Sequence, residues 1–309
     1  MPPELGDALV ERPKVYAELQ ARPDFRGSLD PHSHVLQRVL TDYHFPAKVP
    51  CGLSSCHTPH LTGFLVRTTG GLETAIGHVC GRKIFGEEVW DLAAAKYERQ
   101  RKRLDLLNRA QFIQSSAATI RQAIEGAMGD RFGVRWVRDV RRAFQSILGE
   151  GLCDSLGADQ KRGQLEVTQV RERSAAEMDR LADLWKRPRE HFRNETYPVG
   201  RLQSAAWISF EFSKALRDEL QTPLDEFSKL NPTDLPTPTL RQRLKPFDGW
   251  EKKVADASAA ARTAVEFLDE NNLRLLVLWI PDQMSGRRQA LQQWIGSAAH
   301  LMLLHGKND

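Results

Sequence analysis

The 309-residue chain is long enough to bury a sizeable core, and its 41% hydrophobic and 27% charged residues exclude disorder and suit helices that expose much surface. Its 44 basic against 40 acidic residues leave a charge of +4, too even a balance to imply a polyanionic partner from net charge alone. The opening residues lack an apolar signal-peptide core, and the longest apolar run, LLVLWIP at 275–281, falls far short of the about 20 residues of a membrane span, so a cytoplasmic chain with no membrane contact is expected.

Residues 4–21 place Leu5, Leu9, Val10, Val15, Tyr16 and Leu19 at irregular helical spacing around Pro13, which predicts one or two short helices. Pro31-His32-Ser33-His34 is read as a surface loop or helix start, because His-x-His without further ligands nearby is a weak metal signal. The following run to Val49 leads through Pro46 and Pro50 into the cysteine-rich stretch and is expected to be extended.

Residues 51–86, CGLSSCHTPHLTGFLVRTTGGLETAIGHVCGRKIFG, concentrate the chemistry. They hold three of the four cysteines and three of the nine histidines. Strand-like runs at 63–68 and 72–77 flank a Thr69-Gly70-Gly71 turn, and a hairpin there returns its outer ends to the Cys51–Cys56 turn. Thiolate and imidazole on such turns suit tetrahedral zinc, so Cys51, Cys56, His60 and Cys80 are the expected ligands of one structural Zn2+ per chain. Spacing does not choose among three imidazoles. His60 is preferred, because His57 directly follows Cys56 and ligation of one ion by both is awkward; His78, two residues before Cys80 on an outgoing strand, is the alternative. A Cys51–Cys56 disulfide, reduced thiols in a small core and a catalytic zinc with an open position are the competing readings.

The Cys-rich turn, the hairpin and the closing Ile76-Gly77-His78-Val79-Cys80 resemble the small zinc-ribbon-like modules of bacterial proteins, with Cys-x4-Cys in place of Cys-x2-Cys. The resemblance covers residues 51–86 and implies one structural zinc and a module that binds nucleic acid or protein.

From Glu87 to about Met128 the chain is proline-free and rich in helix formers, with Trp90, Ala93, Tyr97, Leu104, Leu107, Ile113, Ile120 and Ile124 at three- and four-residue steps. This predicts one long helix, whose stripe could seam within the chain or, as in a coiled coil, against a second copy. After a hinge of glycines, a helix over 134–148 sets Val134, Val137, Val140 and Phe144 opposite Arg131, Arg135, Arg138 and Arg142. Beyond a Gly- and Lys-containing loop from 152, the run 165–170 is a strand or the start of a helix carrying Met178 and Leu181. Residues 185–201 read as a connection, 202–220 as helix, and 230–246, with four prolines, as linker-like. Helices are expected over 250–268, 273–280 and 286–305, and Cys153 is read as a small buried apolar residue.

These elements predict a mainly α chain, its long helices forming a bundle or elongated scaffold, with a small zinc-stapled β-hairpin module near the N-terminus. The expected divisions are 1–50, 51–86, 87–230, 231–246 and 247–309. No nucleophile elbow, phosphate-cradling loop, dinucleotide fingerprint or His-Glu-x-x-His helix occurs in the sequence. The expectation is a non-catalytic zinc-containing scaffold or adaptor that binds another protein. DNA or RNA binding through the zinc module, with Arg82 and Lys83, and the basic helix face is the alternative, and a zinc-dependent hydrolase the third reading.

Overall fold

The computed structural model describes residues 10–129 and 131–305; Leu5 and Leu9 of the first expected helix lie outside them. The described chain is mainly helical, with a three-stranded and a two-stranded antiparallel sheet. It divides into two compact units: Met1–Phe112 with Asn231–Leu244, and Ile113–Leu230 with the remainder.

In the first unit, α1 is short, Tyr16–Gln20, since Pro13 cannot sit inside a helix. The extended lead-in is a fourteen-residue strand, β1 (Leu36–Val49). It pairs with β2 (His60–Thr68), and β2 pairs with β3 (Glu73–Ile76) across the Thr-Gly-Gly turn, where Gly71 takes φ of 83°. The expected two-stranded hairpin is thus the outer part of a three-stranded sheet. Alternation buries both faces. Val39, Val66 and Ile76 face a cluster with Cys51, Leu53, Trp90 and Tyr97, while Leu40, Leu65 and Ala75 face one with Leu19, Tyr43, Phe45 and Val49.

One carboxylate is sealed into this unit. Glu73 has no exposed surface, and it accepts from Arg22 Nε at 2.5 Å and Arg67 Nη2 at 2.6 Å. Backbone bonds from Arg26 to the Glu73 carbonyl and from Glu73 to the Asp24 carbonyl lay the 22–26 segment along β3. Burial raises the Glu73 carboxyl, but the bonds from Arg22 and Arg67 outweigh it and hold the group below its ordinary range.

After β3 the backbone turns directly into α2 (His78–Phe85), so the expected outgoing strand through His78 is corrected: Gly77 is the N-cap, and Cys80 sits in the first helical turn. Gly86, with φ of 84°, redirects the chain into α3 (Glu87–Ser115). Tyr97 Oη donates to Asp42 and accepts from its backbone N–H, tying α3 to β1. The long helix expected to about Met128 breaks at Ser116, and the division between the units falls within the last turn of α3, after Phe112. The linker-like stretch is structured: Thr237–Leu244 is helical with Leu240 and Leu244 buried, and Arg103 donates to the carbonyls of Pro232, Thr233 and Leu235.

The second unit begins with α4 (Ala117–Gly129) and α5 (Val134–Leu148), which runs between Gly133 and Gly149 as expected and buries Val134, Val137, Val140 and Phe144. Phe144 packs against Trp207, Phe267 and Trp294 at ring-centroid distances of 5.6, 5.9 and 5.8 Å. The expected loop from 152 is a helix, α6 (Glu150–Arg162), with Leu152 and Leu156 buried. The alternating run is a strand, β4 (Glu166–Glu172), paired with β5 (Asn194–Arg201) from within the stretch read as a connection. Between them lies α7 (Ala175–Trp185), started by a capping box of Ser174 and Glu177. Helices over Trp250–Phe267 and Glu270–Trp279 follow, and the last expected helix is two, Ser285–Trp294 and Ala298–His305, separated around Gly296 at φ of 76°.

Candidate metal centre

One turn and one helix deliver three sulfurs to one place. Cys51 follows β1 and Cys56 closes the turn after it, held by Cys56 N–H to the Leu53 carbonyl at 3.0 Å and Cys51 N–H to the Thr58 carbonyl at 3.2 Å. This turn is sewn to the sheet by the Gly52 N–H to the Ala75 carbonyl at 2.7 Å and by Thr74 Oγ1 to the Gly52 carbonyl at 3.0 Å. A Cβ on residue 52 would stand 2.0 Å from Thr74 Oγ1, so only glycine lets the turn lie this close. Cys80 arrives from the first turn of α2.

The Sγ atoms of Cys51, Cys56 and Cys80 lie within 4.8 Å of one another, with Cys56 and Cys80 at 3.2 Å. Thiolates about 2.3 Å from a common tetrahedral ion would be separated by just under about 4 Å, so the triad is the right size to hold a metal. The charge balance supports the same use. Burial raises the Cys51 thiol, although backbone N–H groups of Leu53 and Gly77 point at its sulfur, and burial with the nearby Cys56 sulfur pushes Cys80 up to about 12. The hydroxyl and backbone N–H of Thr58 pull Cys56 down to about 7. Three such sulfurs cannot all ionise unaided, whereas a divalent cation among them would favour all three thiolates.

The sequence names a histidine as the fourth ligand, and His60 and His78 have other partners here. Among the described residues no imidazole joins the triad. His60 is turned toward the sheet, its ring nitrogens 2.7 Å from Tyr43 Oη and 3.2 Å from the Thr58 carbonyl, and Gly77 leaves room for the ring. His78 accepts from the indole N–H of Trp90 at 3.2 Å. His57 is exposed with φ of 53°. Among the described residues, the three sulfurs are the group that lies close enough together to hold a metal ion.

Sequence reasoning missed Thr58, Gly52 and Tyr43. Thr58 had one visible signal, its place two residues after Cys56, where a hydroxyl can turn back onto the sulfur. Gly52 and Tyr43 have none, because their partners Thr74 and His60 lie across the sheet.

The metal centre continues into a joint with α3. Trp90, fully buried, lies against Gly81 so closely that a Cβ there would come within 2.4 Å of the indole ring. Phe64 and His78 edge the same ring at centroid distances of 5.6 and 5.8 Å. Phe85 packs on the same cluster.

The basic residues take other positions. Arg82 pairs with Asp91 at 2.8 Å, and Lys83 is exposed in the last turn of α2. On α5, Arg135 pairs with Glu125 at 2.8 Å and Arg142 with Asp139 at 3.3 Å, and Arg138 is exposed; Arg131, in the turn before α5, lies over Phe132 at 5.0 Å. Arg141, next to the stripe, turns inward and donates to the carbonyls of Trp207, Ile208 and Phe210.

No helix among the described residues is long and apolar enough to cross a membrane. Comparisons with protein-family models, with curated proteins and with solved structures returned no match.

Proposed function

We propose that this chain is a non-catalytic, metal-stapled scaffold that binds a protein partner in the cytoplasm, and that the ion is one structural Zn2+ held by Cys51, Cys56 and Cys80. The observation that carries this reading is the convergence of two sulfurs from the turn after β1 with one from the first turn of α2. An ion there ties that turn to the sheet, and the contact of Gly81 with Trp90 passes the constraint to α3. Binding energy at such a site is folding energy for the module. The likeness to zinc-ribbon modules rests on the turn, the hairpin and Ile-Gly-x-x-Cys, here with the last cysteine on a helix.

An open fourth position is also what a zinc hydrolase needs, so the coordination number alone does not decide against catalysis. The surroundings favour a structural ion. The hairpin carboxylate, Glu73, is engaged by Arg22 and Arg67 and is not placed to serve as a base toward a metal-bound water.

A protein partner is favoured over nucleic acid by the character of the surface. α2 and the first turns of α3 leave Val79, Val89 and Leu92 exposed at 77%, 45% and 64%. The arginine face of α5, by contrast, is partly neutralised by Glu125 and Asp139, which lowers the field that would attract phosphates. The exposed Lys83 and Arg138 keep nucleic-acid binding as a second reading, and pairing of two copies through α3 is compatible with the first.

The test is affinity purification of the full chain and of Val79→Asp/Leu92→Asp, with and without nuclease. A stoichiometric protein partner that survives nuclease and is lost with the double variant supports the reading. Retention of nucleic acid, lost steeply with added salt, would replace it with the second.

A further inference from the structure

We infer that Cys56 and Cys80 form a redox modification site, in which a hydroperoxide converts the two thiolates to a disulfide and expels the metal; this rests on the proposed metal reading. The three sulfurs are not equivalent. Cys51 is fully buried, while Cys56 and Cys80 are partly exposed. Their Sγ atoms are already 3.2 Å apart, close enough for one sulfur to reach the other after a small side-chain rotation. They come from different elements, the turn after β1 and the first turn of α2, so the bond would cross-link the two parts that the ion otherwise joins. Cys153 lies in α6, in the other unit, and takes no part.

The step balances with the peroxide as the sole oxidant. With hydrogen peroxide, one partly exposed thiolate attacks a peroxide oxygen, the O–O bond breaks, and the sulfur becomes a sulfenic acid while the departing hydroxide takes a proton from solvent and leaves as water. The second thiolate then attacks that sulfur, the S–O bond breaks, and the departing hydroxide takes a second proton from solvent to leave as a second water. Two sulfurs together lose two electrons and one peroxide gains them. Cys51 alone cannot retain the ion, since a single thiolate replaces a three-sulfur site. Because Cys80 opens α2 and Gly81 touches Trp90, the exchange of an ion for a direct bond moves the joint at α3, which places the binding surface under redox control.

The test uses the full-length, zinc-loaded chain, with metal content measured first by elemental analysis. Hydrogen peroxide is added in steps, zinc release is followed with a chromogenic chelator, and disulfides are mapped by mass spectrometry after alkylation and proteolysis. The expected result is one zinc released per Cys56–Cys80 disulfide, with Cys51 and Cys153 still alkylated, and recovery of the bound ion after dithiothreitol and zinc. A disulfide containing Cys51, or sulfinic acid with no disulfide, overturns the inference and leaves the metal reading intact. If the purified chain holds no metal but peroxide still joins Cys56 to Cys80, the modification site stands and the metal reading fails.

Discussion

Gly81→Ala is the sharpest probe of the joint between the metal centre and α3. Replacing a helical glycine by alanine ordinarily stabilises by up to about 1 kcal/mol. Here the added methyl would meet three ring atoms of Trp90 at 2.4, 2.5 and 2.6 Å. Carbon atoms in contact rest at about 3.5–4.0 Å, so the ring or the helix must retreat by about 1 Å. Trp90 has no exposed surface and is edged by Phe64 and His78, so it cannot swing into solvent. Overpacking of this kind costs about 1–3 kcal/mol, and the rigidity of the ring argues for the upper end, which leaves a net loss of about 2 kcal/mol. Urea denaturation of the metal-loaded variant, with zinc affinity measured alongside, reads both effects. The control is Gly126→Ala in α4, where nothing lies within 4 Å of the new methyl and the same substitution should stabilise. A Gly81→Ala chain as stable as the parent would refute the joint.

Further outcomes follow from the same geometry. His60→Ala should keep the metal, since its ring faces Tyr43 and Thr58, whereas Cys80→Ser should lose both the metal and the protease resistance of residues 51–86; loss of metal from the histidine variant would restore it to the ligand set. Because the folded-state pKa of Glu73 is depressed, its contribution is fully present above the unfolded carboxyl range, about pH 4.5, and declines as pH falls through the folded value. Glu73→Gln should therefore destabilise the sheet by roughly 1–3 kcal/mol at neutral pH and flatten its acid dependence, and an unchanged acid transition would contradict the assignment. Acidification should also release the metal as thiolates protonate, with the protein unfolding locally at the same pH; metal retained well below pH 5 would speak against thiolate ligation.

Much of this fold is legible in the residues because periodicity reports burial. The α5 stripe of Val134, Val137, Val140 and Phe144 is buried as its spacing requires, and the glycines at both ends bound the helix. The Thr-Gly-Gly turn and the two runs around it are paired as read. What was not legible depends on distant partners. β5 contains Pro198 and polar neighbours, and it is a strand because β4 lies beside it, a fact no local window contains. α6 begins Glu-Gly-Leu-Cys, with glycines that suggest a loop, but Leu152 and Leu156 bury one face and tertiary packing overrides propensity.

The metal centre divides in the same way. Three cysteines at their spacing were sufficient to locate it, because thiolates have few other uses in such a cluster. The histidine is not legible in the same way, because proximity in sequence says nothing of where a ring points. His60 alternates with its neighbours along β2, and its ring is spoken for by Tyr43 across the ladder.

A metal held by three sulfurs is tested most directly by X-ray absorption at the metal edge of the purified full chain. The expected result is one zinc per chain, with three sulfur scatterers at about 2.3 Å and one lighter atom completing the shell. A folded chain that binds no metal, or a shell with fewer than three sulfurs, would contradict it.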